Sequence, residues 1–149
     1  MSEHRSKEQH KQDIAERAGN CCEYCWSQLR FSPDPFSIEH IIPRAAGGSG
    51  DATNLAIACQ GCNNRKYVSV TAVDPVTGET VPLYNPRQHR WTDHFVWNDD
   101  YTVMLGLTPT GRATIEKLQL NRVGVMNLRR VLRLVGEHPP PTLIALSQM

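Results

Sequence analysis

Two cysteine pairs frame the part of this chain that could do chemistry: Cys22-Glu23-Tyr24-Cys25 and Cys59-Gln60-Gly61-Cys62. Two residues between thiols let a tight turn present both sulfurs to one tetrahedral ion, so the four together suit a closed structural zinc site. The run from Trp26 to Ala58 is longer than a simple zinc ribbon needs. It holds Glu39, His40 and Asn54, and Asn63 follows the last cysteine directly. Disulfides and a thioredoxin-type redox pair are the other readings of these cysteines. The odd total of five, the polar N-terminus and the lack of a βαβ pattern around either pair weigh against both. Cys21 is the fifth thiol, a spectator by spacing but near enough to compete as a ligand.

The side chains between the pairs have complementary abilities. Histidine is the side chain whose ordinary titration lies nearest neutral pH, which makes His40 the candidate general base. Glu39 and Asn63 can each offer an oxygen to a hard cation such as Mg²⁺ or another divalent ion, leaving the remaining positions to water and phosphate. Arg44, Arg65 and Lys66 flank them as candidate phosphate contacts. One geometric condition applies. Neighbours in a regular strand point to opposite faces, so Glu39 and His40 serve one site only if the strand twists or ends there; otherwise Glu39 is an ordinary surface carboxylate.

The elements that must position these groups can be read from the same sequence. Ser6 followed by Lys7 to Ala18 and then Gly19 reads as a capped helix with a glycine stop, packed by Ile14, Ala15 and Ala18. Phe36 to Ile42 alternates as a strand ending at Pro43. The run from Ala45 to Asp51 holds three glycines and is a loop, and Leu55 to Ala58 returns as a second strand. Asn63 to Tyr67 opens a short helix. The expected divisions are an N-terminal helix over 1–18, a core over 19–68, an extension of a hairpin plus two helices over 69–138, and a tail over 139–149. In the extension, Phe95 to Trp97 and Tyr101 to Leu105 read as the hairpin, and Thr108-Pro109 as a helix start. A last helix from Val123 to Gly136 places Val125, Leu128, Leu132 and Val135 on one apolar face and leaves Arg129, Arg130 and Arg133 for phosphate.

Taken in order, Glu39-His40-Ile41-Ile42-Pro43-Arg44, Gly47-Gly48, Asn54-Leu55 and Cys59-Gln60-Gly61-Cys62-Asn63-Asn64-Arg65-Lys66 resemble the HNH endonuclease family. The resemblance implies an α+β fold: a ββα-metal, treble-clef-like core with a four-cysteine zinc clamp, carrying here an α+β C-terminal extension similar to that of some bacterial members. It implies DNA phosphodiester hydrolysis with His40 as base, Asn54 holding the hairpin and orienting the histidine, and a catalytic divalent cation on Glu39 and Asn63. Two positions depart from the common pattern, Glu39 where aspartate is usual and Asn63 at the last letter of the motif. A different reading makes the clamp a nucleic-acid-binding module that does not cut. A third makes the chain one part of a restriction, recombination or packaging assembly.

Composition sets outer limits. A chain of 149 residues with 40% apolar side chains can bury one core, and no apolar run approaches the length of about 20 residues needed to cross a bilayer. No membrane association and a cytoplasmic location are expected. The net charge of +1 is not that of a protein that coats nucleic acid, yet Arg112 to Arg133 carries six basic residues against Glu116 alone. That stripe fits either a phosphate backbone or a solvated helix face. His4, His10 and His138 are expected in solvent. His89 and His94, which bracket Trp91, are expected either to pack or to touch DNA.

Overall fold

The computed structural model describes residues 3–147. The fold is α+β, built from helices and three two-stranded antiparallel sheets among the described residues. Helix α1 (Glu3–Arg17) is followed by the first cysteine turn and then by the hairpin β1 (Ser37–His40) and β2 (Leu55–Ala58), with Ser37 opposite Ala58 and His40 opposite Leu55. Helix α2 (Gln60–Lys66) leaves directly from the second cysteine turn. The extension adds the hairpin β3 (Thr71–Val73) and β4 (Thr80–Pro82), the short helix α3 (Trp91–His94), the hairpin β5 (Phe95–Trp97) and β6 (Met104–Gly106), then α4 (Pro109–Leu118), α5 (Val123–Leu134) and α6 (Pro141–Ser147).

Strand β2 explains the packing. All four of its side chains, Leu55 to Ala58, are buried, because the hairpin has chain on both faces and so does not alternate between core and solvent. Helix α1 covers it, with Ile14 and Ala15 buried on the helix and Ala18 buried just past its end. At roughly 1.5 to 3 kcal/mol for a fully buried large apolar side chain, Ile57 alone anchors the hairpin strongly. The extension joins the same core: Leu83, Tyr84, Trp91, Phe95, Met104, Leu118, Leu120, Val125 and Leu143 belong to one apolar cluster with the hairpin and the cysteine turns.

Several expectations shift. Ser6 lies inside α1, which starts at Glu3, so it is not the cap; the side chain of His4 is outside what is described. Strand β1 stops at His40, two residues before the expected end, because Ile41 N–H turns to Asn54 O at 2.9 Å. Helix α2 begins at Gln60, earlier than expected, with Cys59 as its N-cap. The second strand of the later hairpin starts at Met104, since Tyr101 takes a left-handed φ of 62° and completes the turn. The β3–β4 hairpin is an addition to the expected elements. It closes around buried Asp74, whose carboxylate takes two hydrogen bonds from Arg112, at 3.0 Å from Nε and 2.8 Å from Nη2, and which Arg112 holds well below the usual carboxylate range. The expected tail forms α6 over most of its length, and Leu143 seals the core.

His138 is corrected from solvent to interior. Its ring is buried, its Nε2 is 2.8 Å from Tyr101 O, and its ring centre is 4.9 Å from that of Trp97. Burial, which disfavours the charged ring, pushes its pKa down to about 4. His10 is exposed, as expected. His89 and His94 pack: their ring centres are 5.0 Å apart and each lies 6.0 Å from Tyr84. Asn85 N–H donates to His89 Nδ1 at 2.9 Å, and His94 Nδ1 meets Thr108 Oγ1 at 2.6 Å.

Candidate active site and metal centre

The two cysteine turns converge. The sulfurs of Cys22, Cys25, Cys59 and Cys62 all lie within 4.8 Å of one another, with Cys25 and Cys59 at 3.7 Å. Zinc–sulfur bonds of about 2.3 Å in a tetrahedron put sulfurs about 3.8 Å apart, so the cluster fits such an ion and is far too open for disulfides. Cys22 is pushed well above the usual thiol range, foremost by burial, while Cys25 is drawn well below it, foremost by hydrogen bonding from Cys22. A cation takes cysteines as thiolates, so a bound ion would offset the cost of ionising these buried groups. A bound ion would cross-link the start and end of the hairpin, a structural role. Cys21 stands outside the cluster: buried, its Sγ donates to Gly19 O at 3.4 Å, and its pKa is pushed up to about 11, mainly by burial.

The extension supplies positive charge around these sulfurs. Arg122 places Nη1 and Nη2 each 3.6 Å from Cys62 Sγ, with Nη2 3.5 Å from Cys59 Sγ. Arg129 is buried and engaged by the protein through both terminal nitrogens. Its Nη2 donates to Cys25 O at 3.1 Å and Leu120 O at 2.7 Å, its Nη1 to Thr102 O at 2.9 Å and Asn121 Oδ1 at 3.0 Å, and its guanidinium lies over the Trp97 ring. The expectation of Arg129 as a phosphate contact is therefore corrected: it staples the extension to the first cysteine turn. Arg130 is exposed and bonded to Asn127, and Arg133 is exposed over the Tyr101 ring, so both remain on the surface.

The hairpin separates Glu39 from His40. They are consecutive in regular strand pairing, opposite Ala56 and Leu55, so their side chains leave on opposite faces. Glu39 turns inward. Its Oε2 accepts from Tyr24 OH at 2.6 Å and its Oε1 pairs with Lys66 Nζ at 2.5 Å, both charged groups being buried. Lys66 also donates to Ile41 O at 2.8 Å. Glu39 is thus neither a surface carboxylate nor open to a catalytic cation, and it does not fit that donor set in this structure. Lys66, expected on phosphate, is a buried counter-ion, because a carboxylate without a partner there would be far more costly.

His40 is half-buried at the strand end, and its ring makes no hydrogen bond to protein among the described residues. Asn54 fixes the turn that follows it. Its Oδ1 accepts from Ile42 N at 2.9 Å, and its Nδ2 donates to Ile42 O at 2.9 Å and Ser49 O at 2.7 Å. Gly48 permits this closeness: a Cβ there would stand 1.7 Å from Ile42 O. Asn63 lies in the first turn of α2, half-buried, with no side-chain hydrogen bond among the described residues. Arg44 and Arg65 are exposed, Arg65 donating back to Gly61 O at 3.1 Å.

Sequence reasoning passed over Arg17, Glu23 and Arg87, and counted Arg122 only as part of the basic stripe, whereas it lies against the cysteine sulfurs. Arg17 donates to Ala52 O at 2.9 Å and Leu55 O at 2.6 Å, steadying the glycine loop. Glu23 accepts from Ile57 N at 2.9 Å and is ion-paired with Arg87 of the extension. Each of their partners lies far along the chain, so no local spacing reports these contacts.

Antiparallel hairpin, helix and four clustered cysteines, with a histidine at the strand end, form a ββα arrangement around a candidate metal site. Residues 22–69 match the family model described as HNH endonuclease, the stretch that holds both cysteine turns, the hairpin and α2. No curated protein and no solved structure matches the chain. Among the described residues no helix is long and apolar enough to cross a membrane.

Proposed function

We propose that this protein is a DNA endonuclease that hydrolyses phosphodiester bonds, with His40 as general base. In this reading His40 takes a proton from a water whose oxygen attacks phosphorus. The bond to the 3′ oxygen breaks, and the leaving oxygen gains a proton from solvent, giving 5′-phosphate and 3′-hydroxyl ends. The observation that carries the reading is the Asn54 clamp, three hydrogen bonds that hold the turn behind an otherwise unengaged imidazole. A structural histidine would not need its following turn pinned while its own ring stayed unbonded. The cysteine cluster holds zinc as a scaffold. Mg²⁺ or a similar cation belongs to the reading through the HNH domain and Asn63, with Glu39 serving as the buried partner of Lys66.

The test is plasmid nicking with Mg²⁺ or Mn²⁺, set against a no-metal control. His40→Ala should lower turnover roughly 10²- to 10⁴-fold, as for a lost general base, with zinc content unchanged. Nicking that persists in that variant removes the mechanism. The engaged state of Glu39 favours a second reading, a nucleic-acid-binding module that does not cut. Tight DNA binding with no cleavage under any divalent cation would select it, and a partner search would then test the role of a subunit in a restriction, recombination or packaging assembly.

A further inference from the structure

A cleft of about 550 Å³ lies away from the cysteine cluster. It opens beside the glycine loop, and three separated parts of the chain build it: Arg17 at the end of α1, the loop itself through Gly48, Ser49, Thr53 and Asn54, and Asn85, Arg87 and Gln88 from the extension. Ile42, two residues beyond His40, also lines it, so the cleft adjoins the turn that the Asn54 clamp holds.

Its charge is one-sided. Two guanidiniums line it and, among the described residues, no carboxylate does. Arg17 is fixed by backbone oxygens, and Arg87 by Glu23 beneath, which balances one of the two charges and leaves the other without a counter-charge in the lining. Burial, and after it the nearby positive charge of Arg17, pushes the Arg87 pKa down to about 10. Asp51 belongs to the same loop but not to the lining. The other lining groups are hydroxyls and amides. Asn85 Oδ1 is occupied by the N–H groups of Arg87 and Gln88, at 2.9 and 3.2 Å. Rigid arginines suit phosphate oxygens, and amides with spare donors and acceptors suit a base edge.

We propose that this cleft binds the nucleotide next to the scissile phosphodiester, its phosphate between Arg17 and Arg87 and its base against Asn85 and Gln88. The inference rests on the nuclease reading for the position of the cut, and it gives the extension a part in holding substrate.

The test places negative charge in the cleft without removing any hydrogen bond described above. Gln88→Glu and Thr53→Glu are compared with Val76→Glu, in the β3–β4 turn outside the cleft, all in the His40→Ala background with Mg²⁺. Fluorescence anisotropy with a labelled DNA duplex reads affinity, and zinc content checks folding. The two cleft variants should bind roughly tenfold more weakly, with a salt slope shallower by about one, and Val76→Glu should stay within about twofold. Cleft variants that bind as well as the His40→Ala parent, or three variants weakened equally, overturn the proposal. The two readings fail separately: nicking by the unmodified protein with unaffected cleft variants sinks only the cleft. Weakened cleft variants of a protein that never nicks sink only the nuclease.

Discussion

Arg122 and Cys62 are in direct contact, both terminal nitrogens of the guanidinium lying 3.6 Å from the sulfur. Four thiolates on a dication carry a net charge of about −2, and a buried excess of that size needs positive charge nearby. Burial alone would lower the Arg122 pKa, but the thiolates of Cys62, Cys25 and Cys59 outweigh it and the net displacement is upward.

Removing that guanidinium should loosen the metal. Hydrogen bonds to charged groups are worth about 1.5 to 3 kcal/mol, so Arg122→Met should weaken zinc binding roughly 10- to 100-fold. Competition with a chromogenic chelator measures it. An unchanged affinity would mean that Arg122 only fills space. Complete stripping of zinc should unfold the core, since structural zinc contributes about 10 to 16 kcal/mol in small finger peptides. Circular dichroism follows that loss.

Lys66→Met leaves Glu39 buried without its cation and should cost about 3 to 5 kcal/mol in urea unfolding. Adding Glu39→Gln should recover much of that loss. If Lys66 met phosphate instead, the single variant would change the salt dependence of DNA binding and spare stability.

Stability should fall in mild acid. The His138 pKa is about 4 in the fold against an ordinary 6.5, so between those values the unfolded chain binds more protons. The His138 contribution is complete above about pH 6.5 and drains as pH falls toward about 4, by roughly 2 to 3 kcal/mol. Urea midpoints at about pH 7.5 and about pH 4.5, on either side of the ordinary histidine value, test it, and His138→Gln should flatten the difference. An equal slope in both proteins would assign the loss to other groups.

Gly48→Ala should abolish nicking while keeping zinc, because the added carbon would sit 1.7 Å from Ile42 O and the turn behind His40 must open. Asn54→Ala should act in the same direction, since two backbone groups of Ile42 lose their partner at once. Metal content beside a nicking assay separates this from general unfolding.

Local signals carried far into the three-dimensional arrangement, and long-range ones did not. The cysteine spacing, the Leu55 to Ala58 strand, and Thr108 capping α4 with Gly111 N–H at 3.0 Å are each set by a few consecutive residues. The opposed faces of Glu39 and His40 also follow from strand geometry, and that geometry posed the question the structure answers. What stayed hidden was pairing across distance. Helical periodicity put Arg129 on a polar face, yet a polar face can be buried when carbonyls from Cys25, Thr102 and Leu120 wait for it. The same holds for His138 against Tyr101 and for Lys66 against Glu39, where the partner lies far along the chain and no periodicity reports it.

The bond from Arg129 to the carbonyl of Cys25 also orders events in time. Translation delivers the first metal knuckle 104 codons before the arginine that completes its surroundings. While the nascent chain is still growing, the hairpin must therefore wait with its knuckle half-clothed.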